Sequence, residues 1–531
     1  MPDRSAHMVV LKRDGGSPSP GRQLASENGE VKALNDSQEP SARICRPPDN
    51  CWRLSSADRA ALLVDGAAYF SALDKALDNA AKRIWIIGWD FDPEITLRPD
   101  QPDAVSLGSR LRRLVETREG LEIRLLVWAL GPIYSSKSLH LFTHHPWADH
   151  PRIFLRFDRR QPLRGAQHQK IVCIDDTLAF VGGIDLTSGR WDMSAHEAHS
   201  AVRLKPNGDS YGPVHDLQAA FSGPAARDVA ELAETRWKDA IGEAPPPVER
   251  SPAFWPAGVE PLFESCRIAL ARTVPRLVGR AAHHEAINLT LDAIAASRRH
   301  VYIETQYFAS FRVGRAIAEK LQEPDGPEIL VIATQSSRGI IEQFMMAHNR
   351  DRLIRRLKRH DPNGRLRVMY AVVPDETAGD QSGDGGGSAE LEVLIHSKVI
   401  VIDDRFVRVG SSNLNNRSEG LDTECDVAVE ADHQGHRTAI AGFRNRLLAE
   451  HLGSDAQSVE RAIADTGSLL KAVDRLNVKP RGLRGYDVGI EKGGITPLPA
   501  TGLLDPRQPY WPLQRLIDGL RRLFGGSGRG R

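Results

Sequence analysis

The stretch His168-Gln169-Lys170-Ile171-Val172-Cys173-Ile174-Asp175 occurs a second time in this chain, as His396-Ser397-Lys398-Val399-Ile400-Val401-Ile402-Asp403. The apolar and mostly β-branched run inside each copy predicts a strand that is buried on both faces. Side chains two positions apart on a strand share a face, so each histidine can point with its lysine at the same substrate. Because histidine, lysine and aspartate keep the same spacing in both copies, the sequence predicts two similar halves.

The agreement continues downstream of both copies. Gly182-Gly183-Ile184-Asp185 follows the first copy, and Gly410-Ser411-Ser412-Asn413 follows the second. Asp185 and Asn413 each come 17 residues after the histidine (185 − 168 and 413 − 396). An acidic residue comes next, Glu197 at +29 and Glu424 at +28 (197 − 168 and 424 − 396). Two matches in register are strong evidence for a duplicated functional unit.

Strand and helix patterns alternate along the chain and indicate an α/β architecture. The predicted strands lie at 83–89, 123–128, 300–304 and 328–332, and the predicted helices at 69–80 and 286–297. The domain prediction is a disordered arm (1–45), a first half (50–244), a second half (257–452) and a C-terminal extension (453–531) whose end is basic and amphipathic. Residues 245–256, which are rich in proline, are the predicted linker, and residues 375–388 a flexible acidic loop.

These motifs resemble the phospholipase D superfamily, which is marked by a doubled H-x-K-x4-D pattern followed by G-[GS]-x-N. The resemblance is greatest to the eukaryotic-type enzymes, and it extends from about residue 55 to about residue 450. The further segments that carry it are Gly189-Arg190-Trp191-Asp192, Tyr302-Ile303-Glu304-Thr305-Gln306-Tyr307-Phe308, and Gly223-Pro224-Ala225-Ala226 leading to Arg236-Trp237. The family fold implies that the halves pack as a pseudo-dimer with one active site at their interface.

The resemblance implies a two-histidine phosphodiesterase site. His168 is then the nucleophile and His396 the general acid, although the symmetry of the sequence does not decide the order. Lys170 and Lys398 neutralise phosphate oxygens, so no metal or cofactor is expected. The other expected residues are Asn413, Ser411 and Gly183 for substrate binding, Glu197 and Glu424 as acids that orient the opposite histidines, Asp185 in a structural role, and Asp175 and Asp403 as structural ends of the motif.

The leading functional hypothesis is a phospholipase D that converts phosphatidylcholine-like lipids to phosphatidic acid and also transfers the phosphatidyl group to alcohols. A cardiolipin-synthase-like phosphatidyltransferase and a nuclease are the alternatives. A net charge of +1, from 70 basic and 69 acidic residues, shows no basic excess for nucleic acid. The expected partner is therefore a phospholipid membrane surface, which the protein contacts peripherally and as a monomer. The sequence does not reveal the head-group preference.

Compartment is indicated only weakly by the sequence. The five cysteines form no C-x-x-C pair, which favours a reducing compartment. No signal-peptide core and no stretch of roughly 18 apolar residues is visible. We therefore expect a cytoplasmic or peripheral membrane protein, with export by a signal-independent route left open.

Overall fold

The computed structural model describes residues 42–131, 146–249, 251–336, 340–375, 389–499 and 501–509. The described residues from Arg43 onwards form one compact unit. The predicted arm up to residue 41, most of the predicted acidic loop and the basic amphipathic C-terminal segment lie outside the described residues.

The structure contains both helices and strands throughout. The strands are β1 (Arg53–Val64), β2 (Arg83–Gly88), β3 (Glu122–Trp128), β4 (Ile153–Asp158), β5 (Ile171–Ile174), β6 (Leu178–Gly182), β7 (Val214–His215), β8 (Leu217–Ser222), β9 (Phe263–Val274), β10 (His283–His284), β11 (His300–Thr305), β12 (Glu328–Ala333), β13 (Leu366–Asp375), β14 (Ala389–Glu392), β15 (Leu394–Ile395), β16 (Lys398–Ile402), β17 (Phe406–Gly410), β18 (Glu424–Glu430) and β19 (Gly482–Gly485). The helices are α1 (Asp65–Leu77), α2 (Leu107–Thr117), α3 (Pro224–Ile241), α4 (Glu285–Ala296), α5 (Phe311–Gln322), α6 (Ile340–Arg359), α7 (Asn416–Gly420), α8 (Gln434–His451), α9 (Ala456–Thr466), α10 (Leu469–Leu476) and α11 (Thr501–Leu504), with a 3₁₀ turn at Pro146–Ala148.

The strand order repeats between the halves. In the first half the order is β4-β3-β2-β5-β6-β8-β1, and in the second it is β13-β12-β11-β16-β17-β18-β9. In each half the first three strands are parallel and the remaining neighbours are antiparallel. β1 pairs with β9, with Ala57 opposite Cys266, and joins the two halves in one sheet. The fold is therefore a duplicated α/β unit.

The sheet is buried on both faces, as the apolar runs predict. In β16, Val399 and Val401 enter a core shared by the two halves, whereas Ile400 and Ile402 pack with the helices of the second half. β5 alternates in the same way between the shared core and the core of the first half. Helices α1 and α2 cover the first half, α4 and α5 cover the second, and α3 and α8 lie against the shared core.

Each motif histidine lies just before its strand. The prediction placed both histidines on the strands, but β5 begins at Ile171 and β16 at Lys398. The physical reason is that the backbone changes partner there: His168 N–H donates to Thr423 O, and His396 N–H donates to His215 O. The backbones of both histidines are thus held by hydrogen bonds that they donate to the opposite half.

The five cysteines are all buried and free, so the structure contains no disulfide bond between them. Within the described residues, no helix has both the length and the apolar character needed to cross a membrane.

Candidate active site

The two motif histidines exchange carboxylate partners between the halves. His168 Nδ1 lies 2.9 Å from an oxygen of Glu424, which begins β18 in the second half. His396 Nδ1 lies 2.6 Å from Asp216 Oδ2, which comes from the first half just before β8. A carboxylate on the proximal ring nitrogen fixes the tautomer and directs Nε2 outward. Each half therefore supplies one histidine and the acid that orients the other histidine.

The backbones of the two halves are paired in the same crossed way. Thr423, next to Glu424, forms a parallel bridge with Gln167, next to His168. In the other half-site, β7 pairs in parallel with β15, with His215 opposite Ile395. Each acid is thus carried by a segment that hydrogen-bonds to the backbone preceding its histidine. This arrangement fixes the distance between acid and histidine through main-chain contacts.

Glu197 was the wrong choice for the acid that orients His396. Its side chain is exposed on the loop after β6. The equivalent of Glu424 is Asp216, because Gly182 pairs with Gln218 and Gly410 with Asp426, and each acid stands two residues before that partner. In the sequence, Asp216 is marked by the start of the next apolar strand and not by its distance from the histidine.

Gly183 and Ser411, expected to bind substrate, lie against the carboxylates of the two acids. A Cβ on Gly183 would lie 2.1 Å from Asp216 Oδ1, so only glycine lets this acid approach so closely. Ser411 Oγ donates to Glu424 Oε2 at 2.5 Å and accepts from Cys425 N–H. The two residues occupy matching positions and support matching carboxylates.

The lysines differ in their partners. Lys170 Nζ pairs with Asp185 Oδ2 at 3.0 Å, and Asp185 also accepts from Trp89 N–H at 2.9 Å. Lys398 Nζ donates to His396 O and lies 3.2 Å from His396 Nδ1. Asn413 stands where the first half has Asp185, and its Oδ1 is buried without a hydrogen-bond partner among the described residues. Within the part of the chain that the structure describes, Lys398 thus lacks a direct carboxylate contact like the one that Asp185 gives Lys170, and Asp216 and Glu424 influence it from farther away.

The aspartates that end the motif are structural. The carboxylate of Asp175 accepts from the N–H groups of residues 81–83, and that of Asp403 accepts from the N–H groups of residues 298–300. Both aspartates have positive φ angles, 52° and 50°. Each therefore fixes the start of a neighbouring strand, β2 or β11.

Burial dominates the electrostatics of the site. Desolvation, reinforced by the neighbouring lysines, lowers the pKa of both His168 and His396 well below the usual value. Burial also raises the pKa of Glu424 to about 7 and lowers the pKa of Lys398 to about 7. Both histidines are therefore neutral at neutral pH, and the negative charge of a phosphodiester would favour their protonation.

Arg190 is a residue at this site to which the sequence analysis gave no role. After burial and Lys398, its positive charge is the next largest cause that lowers the pKa of His396. Its Nε is buried without a hydrogen-bond partner among the described residues. The segment Gly189-Arg190-Trp191-Asp192 could have given the signal, since it was part of the family resemblance.

Sequence comparisons match this chain to a family model and to several curated proteins. Residues 290–445 match the family model described as "Cardiolipin synthase, PLD-like domain". Phospholipase D A of Dictyostelium discoideum is 24% identical over 464 residues, which cover 74% of this chain and 35% of that protein. Phospholipase D1 of Saccharomyces cerevisiae is 26% identical, covering 75% of this chain and 29% of that protein. Phospholipase D alpha 1 of Carica papaya is 24% identical, covering 80% and 70% respectively.

Among solved structures, the phosphatidylserine synthase of Haemophilus influenzae Rd KW20 aligns with a TM-score of 0.47 at 12% identity, covering 80% of this chain and 97% of that one. The chain spans only about a third of the first two curated relatives. The doubled motif and the crossed acid–histidine pairs form one site from both halves. The chain is similar to the phospholipase D superfamily, and the curated relatives that it matches include phospholipases D of eukaryotes.

Proposed function

We propose that this protein is a phospholipase D, which hydrolyses phosphatidylcholine-like glycerophospholipids to phosphatidic acid and a free head group. The observation that carries the proposal is the crossed pairing of His168 with Glu424 and of His396 with Asp216. This pairing provides one site with two oriented imidazoles and two lysines. The names of the curated relatives support the choice of a lipid substrate.

In the first step, Nε2 of His168 attacks phosphorus in line with the leaving oxygen. A P–N bond forms as the P–O bond to the head group breaks, and His396, which is protonated once the phosphodiester has bound, donates its Nε2 proton to that oxygen. Glu424 accepts from His168 Nδ1–H and stabilises the positive charge that develops on the ring. The products of this half-reaction are the free head group and a phosphatidyl-histidine.

In the second step, water attacks phosphorus while His396 takes its proton. The P–N bond breaks, His168 returns to its starting state, and phosphatidic acid leaves. A primary alcohol can replace water in the same step, so transphosphatidylation accompanies hydrolysis. Lys170 and Lys398 offset the charge of the bound phosphate, and Asn413 donates a hydrogen bond to it. The lysines supply the positive charge that magnesium supplies at many phosphoryl-transfer sites.

The protein acts peripherally at a membrane surface, because its proposed lipid substrate resides in a bilayer. It acts as a monomer, since each chain carries both histidines and both acids. Nucleic acid is not an expected partner of a chain with a net charge of +1.

The test is to incubate the purified protein with mixed phospholipid vesicles in the presence of ethanol. Phosphatidic acid together with phosphatidylethanol is the expected result, and His168→Ala and His396→Ala should each lose turnover, whereas Glu197→Gln should retain it. Vesicles that also contain phosphatidylglycerol would reveal a cardiolipin-forming transferase instead. Cleavage of nucleic acid without any reaction on lipid would overturn the proposal.

A further inference from the structure

A second cluster of ionisable groups lies behind the active site, and the proposed reaction does not use it. Four side chains form this cluster, which we call the cage: Asp65 at the start of α1, His196 after β6, His215 in β7 and Glu450 in α8. Their side chains are at most 4% exposed. Three of them come from the first half and Glu450 comes from the second.

The four donor atoms of the cage converge on one point. His215 Nδ1 lies 3.0 Å from Asp65 Oδ1 and 2.7 Å from Glu450 Oε1. His196 Nε2 lies 3.7 Å and 3.0 Å from the same two oxygens. In a tetrahedral zinc site with bonds of about 2.0–2.2 Å, neighbouring donor atoms are roughly 3.3–3.5 Å apart. The three distances of 3.0–3.7 Å lie within about 0.5 Å of this spacing, and the 2.7 Å distance between His215 Nδ1 and Glu450 Oε1 would have to lengthen by about 0.6–0.8 Å.

The far side of each cage histidine is already held by a carboxylate. His196 Nδ1 lies 2.9 Å from Asp192, which also accepts from Arg203. His215 Nε2 lies 3.0 Å from Glu304. When the distal nitrogens donate to these carboxylates, the nitrogens facing the cage present lone pairs. Carboxylate–histidine–metal arrangements of this kind orient metal ligands in many proteins.

Charge gives the same indication. The carboxylates of Asp65 and Glu450 face one another inside the protein, where negative charge must be compensated. Against the opposing effect of burial, the carboxylates around the two histidines raise the pKa of His196 to about 9 and that of His215 well above its usual value. A divalent cation between the carboxylates would take the place of the two ring protons and balance both charges with the histidines neutral. Two imidazole nitrogens and two carboxylate oxygens form a donor set typical of Zn²⁺. Asp65 and His196 also hold left-handed backbone conformations, with φ of 68° and 46°.

We propose that Asp65, His196, His215 and Glu450 bind one structural divalent transition-metal ion, of which Zn²⁺ is the best fit. The metal has no part in the proposed reaction, because none of its four ligands acts on the substrate. It ties α8 of the second half to three segments of the first half. It also fixes the segment that carries Asp216, since His215 precedes this acid and Asp65 N–H donates to Asp216 O at 2.8 Å.

The test measures metal directly. The full-length protein is stripped with a chelator, incubated with ZnCl₂, separated from free metal by gel filtration and analysed by inductively coupled plasma mass spectrometry. We expect about one zinc per chain, a higher melting temperature with zinc than without, and intense visible bands when Co²⁺ replaces zinc in a four-coordinate site. Wild-type protein that retains no zinc above the buffer blank, and that zinc does not stabilise, overturns the proposal.

Variants locate the ion. Glu450→Gln and His196→Gln each remove one ligand and keep a polar side chain of similar size, and we expect zinc affinity to fall by more than the roughly 10–100-fold that outer-shell changes cost. His199→Gln is the matched control, because His199 lies three residues from His196 but its side chain is 63% exposed. Circular dichroism establishes that each variant is folded. Equal zinc content in wild type, Glu450→Gln and His196→Gln would place the metal elsewhere and overturn the assignment.

Discussion

At the scale of single residues, the orientation of the two histidines depends on acids from the opposite half. Asp216 and Glu424 occupy equivalent positions, yet one is shorter than the other by a methylene group. The contacts of the two acids also differ. Asp216 lies against Gly183 and needs the space left by the missing side chain, whereas Glu424 accepts a hydrogen bond from the hydroxyl of Ser411. The half-sites have therefore diverged while keeping the same geometry.

The replacement Asp216→Asn should lower kcat by about 10²–10⁴-fold with little change in KM. The NH₂ group of an amide cannot accept a hydrogen bond from Nδ1–H. His396 therefore loses its fixed tautomer and the stabilisation of its charged form. Vesicle assays measure both constants. Glu197→Gln removes the exposed acid at +29 and should leave them unchanged. Equal losses in the two variants would contradict the assignment of Asp216.

The pH profile of kcat/KM should be bell-shaped with a maximum near neutrality. As the pH falls through about 7, Glu424 gains a proton and no longer stabilises charged His168. As the pH rises through about 7, Lys398 loses its proton and its attraction for phosphate. Because burial raises the pKa of Glu424 and lowers that of Lys398, both groups are charged only in a narrow range.

Lys398→Arg tests the alkaline limb of that profile. Arginine stays protonated at every accessible pH, so the alkaline limb should move upward while the acid limb stays in place. The shape of the profile is informative even if the maximum rate is lower. An alkaline limb that does not move would assign it to another group.

The sequence predicts the residues that have the same spacing in both copies. It does not predict the residues that follow a loop of different length in each copy. Asn413 and Asp185 lie at the same offset because only a short turn separates β17 or β6 from the motif strand. The segment from Gly182 to Asp216 spans 34 positions, against 14 from Gly410 to Glu424. Counting from the histidine therefore led to Glu197, and the cage histidines gave no spacing signal at all.

At the scale of secondary-structure elements, the last residue of each motif acts as a cap for another strand. Asp403 accepts three N–H groups at the start of β11, and Asp175 does the same for β2. The strands themselves were predictable from their apolar runs. Their exact starts were not, because the histidine backbones hydrogen-bond to the opposite half, which lies far away in the sequence.

Asp403→Ala should destabilise the protein by roughly 2–4 kcal/mol, because it leaves one buried and two partly buried N–H groups without an acceptor and places alanine at a positive φ. Asp403→Asn is the matched variant: asparagine tolerates the left-handed conformation and keeps one oxygen acceptor, so a smaller loss is expected. Thermal unfolding of both variants measures the difference. Equal stability of Asp403→Ala and wild type would rule out the capping role.

At the scale of the whole molecule, the duplicated sheet places all the catalytic groups in one chain. The repeat in the sequence predicted two halves, but the pairing of β1 with β9 that joins them could not be inferred, since neither strand carries a motif. That pairing, with the β7–β15 and Gln167–Thr423 contacts, positions each acid against the histidine of the other half. The halves are complementary parts of one site.

Mixing two inactive proteins tests this arrangement. If one site forms within one chain, equal amounts of His168→Ala and His396→Ala protein should show no more activity than either variant alone, because no site then contains both histidines. If instead the site formed between two chains, about a quarter of the sites in a re-equilibrated mixture would contain both, and activity would return. The mixture is incubated under conditions that allow subunit exchange and assayed on vesicles, with size-exclusion chromatography to establish the oligomeric state. Recovery of activity would show that the histidines act across chains, which the intrachain contacts of His168 with Glu424 and of His396 with Asp216 argue against.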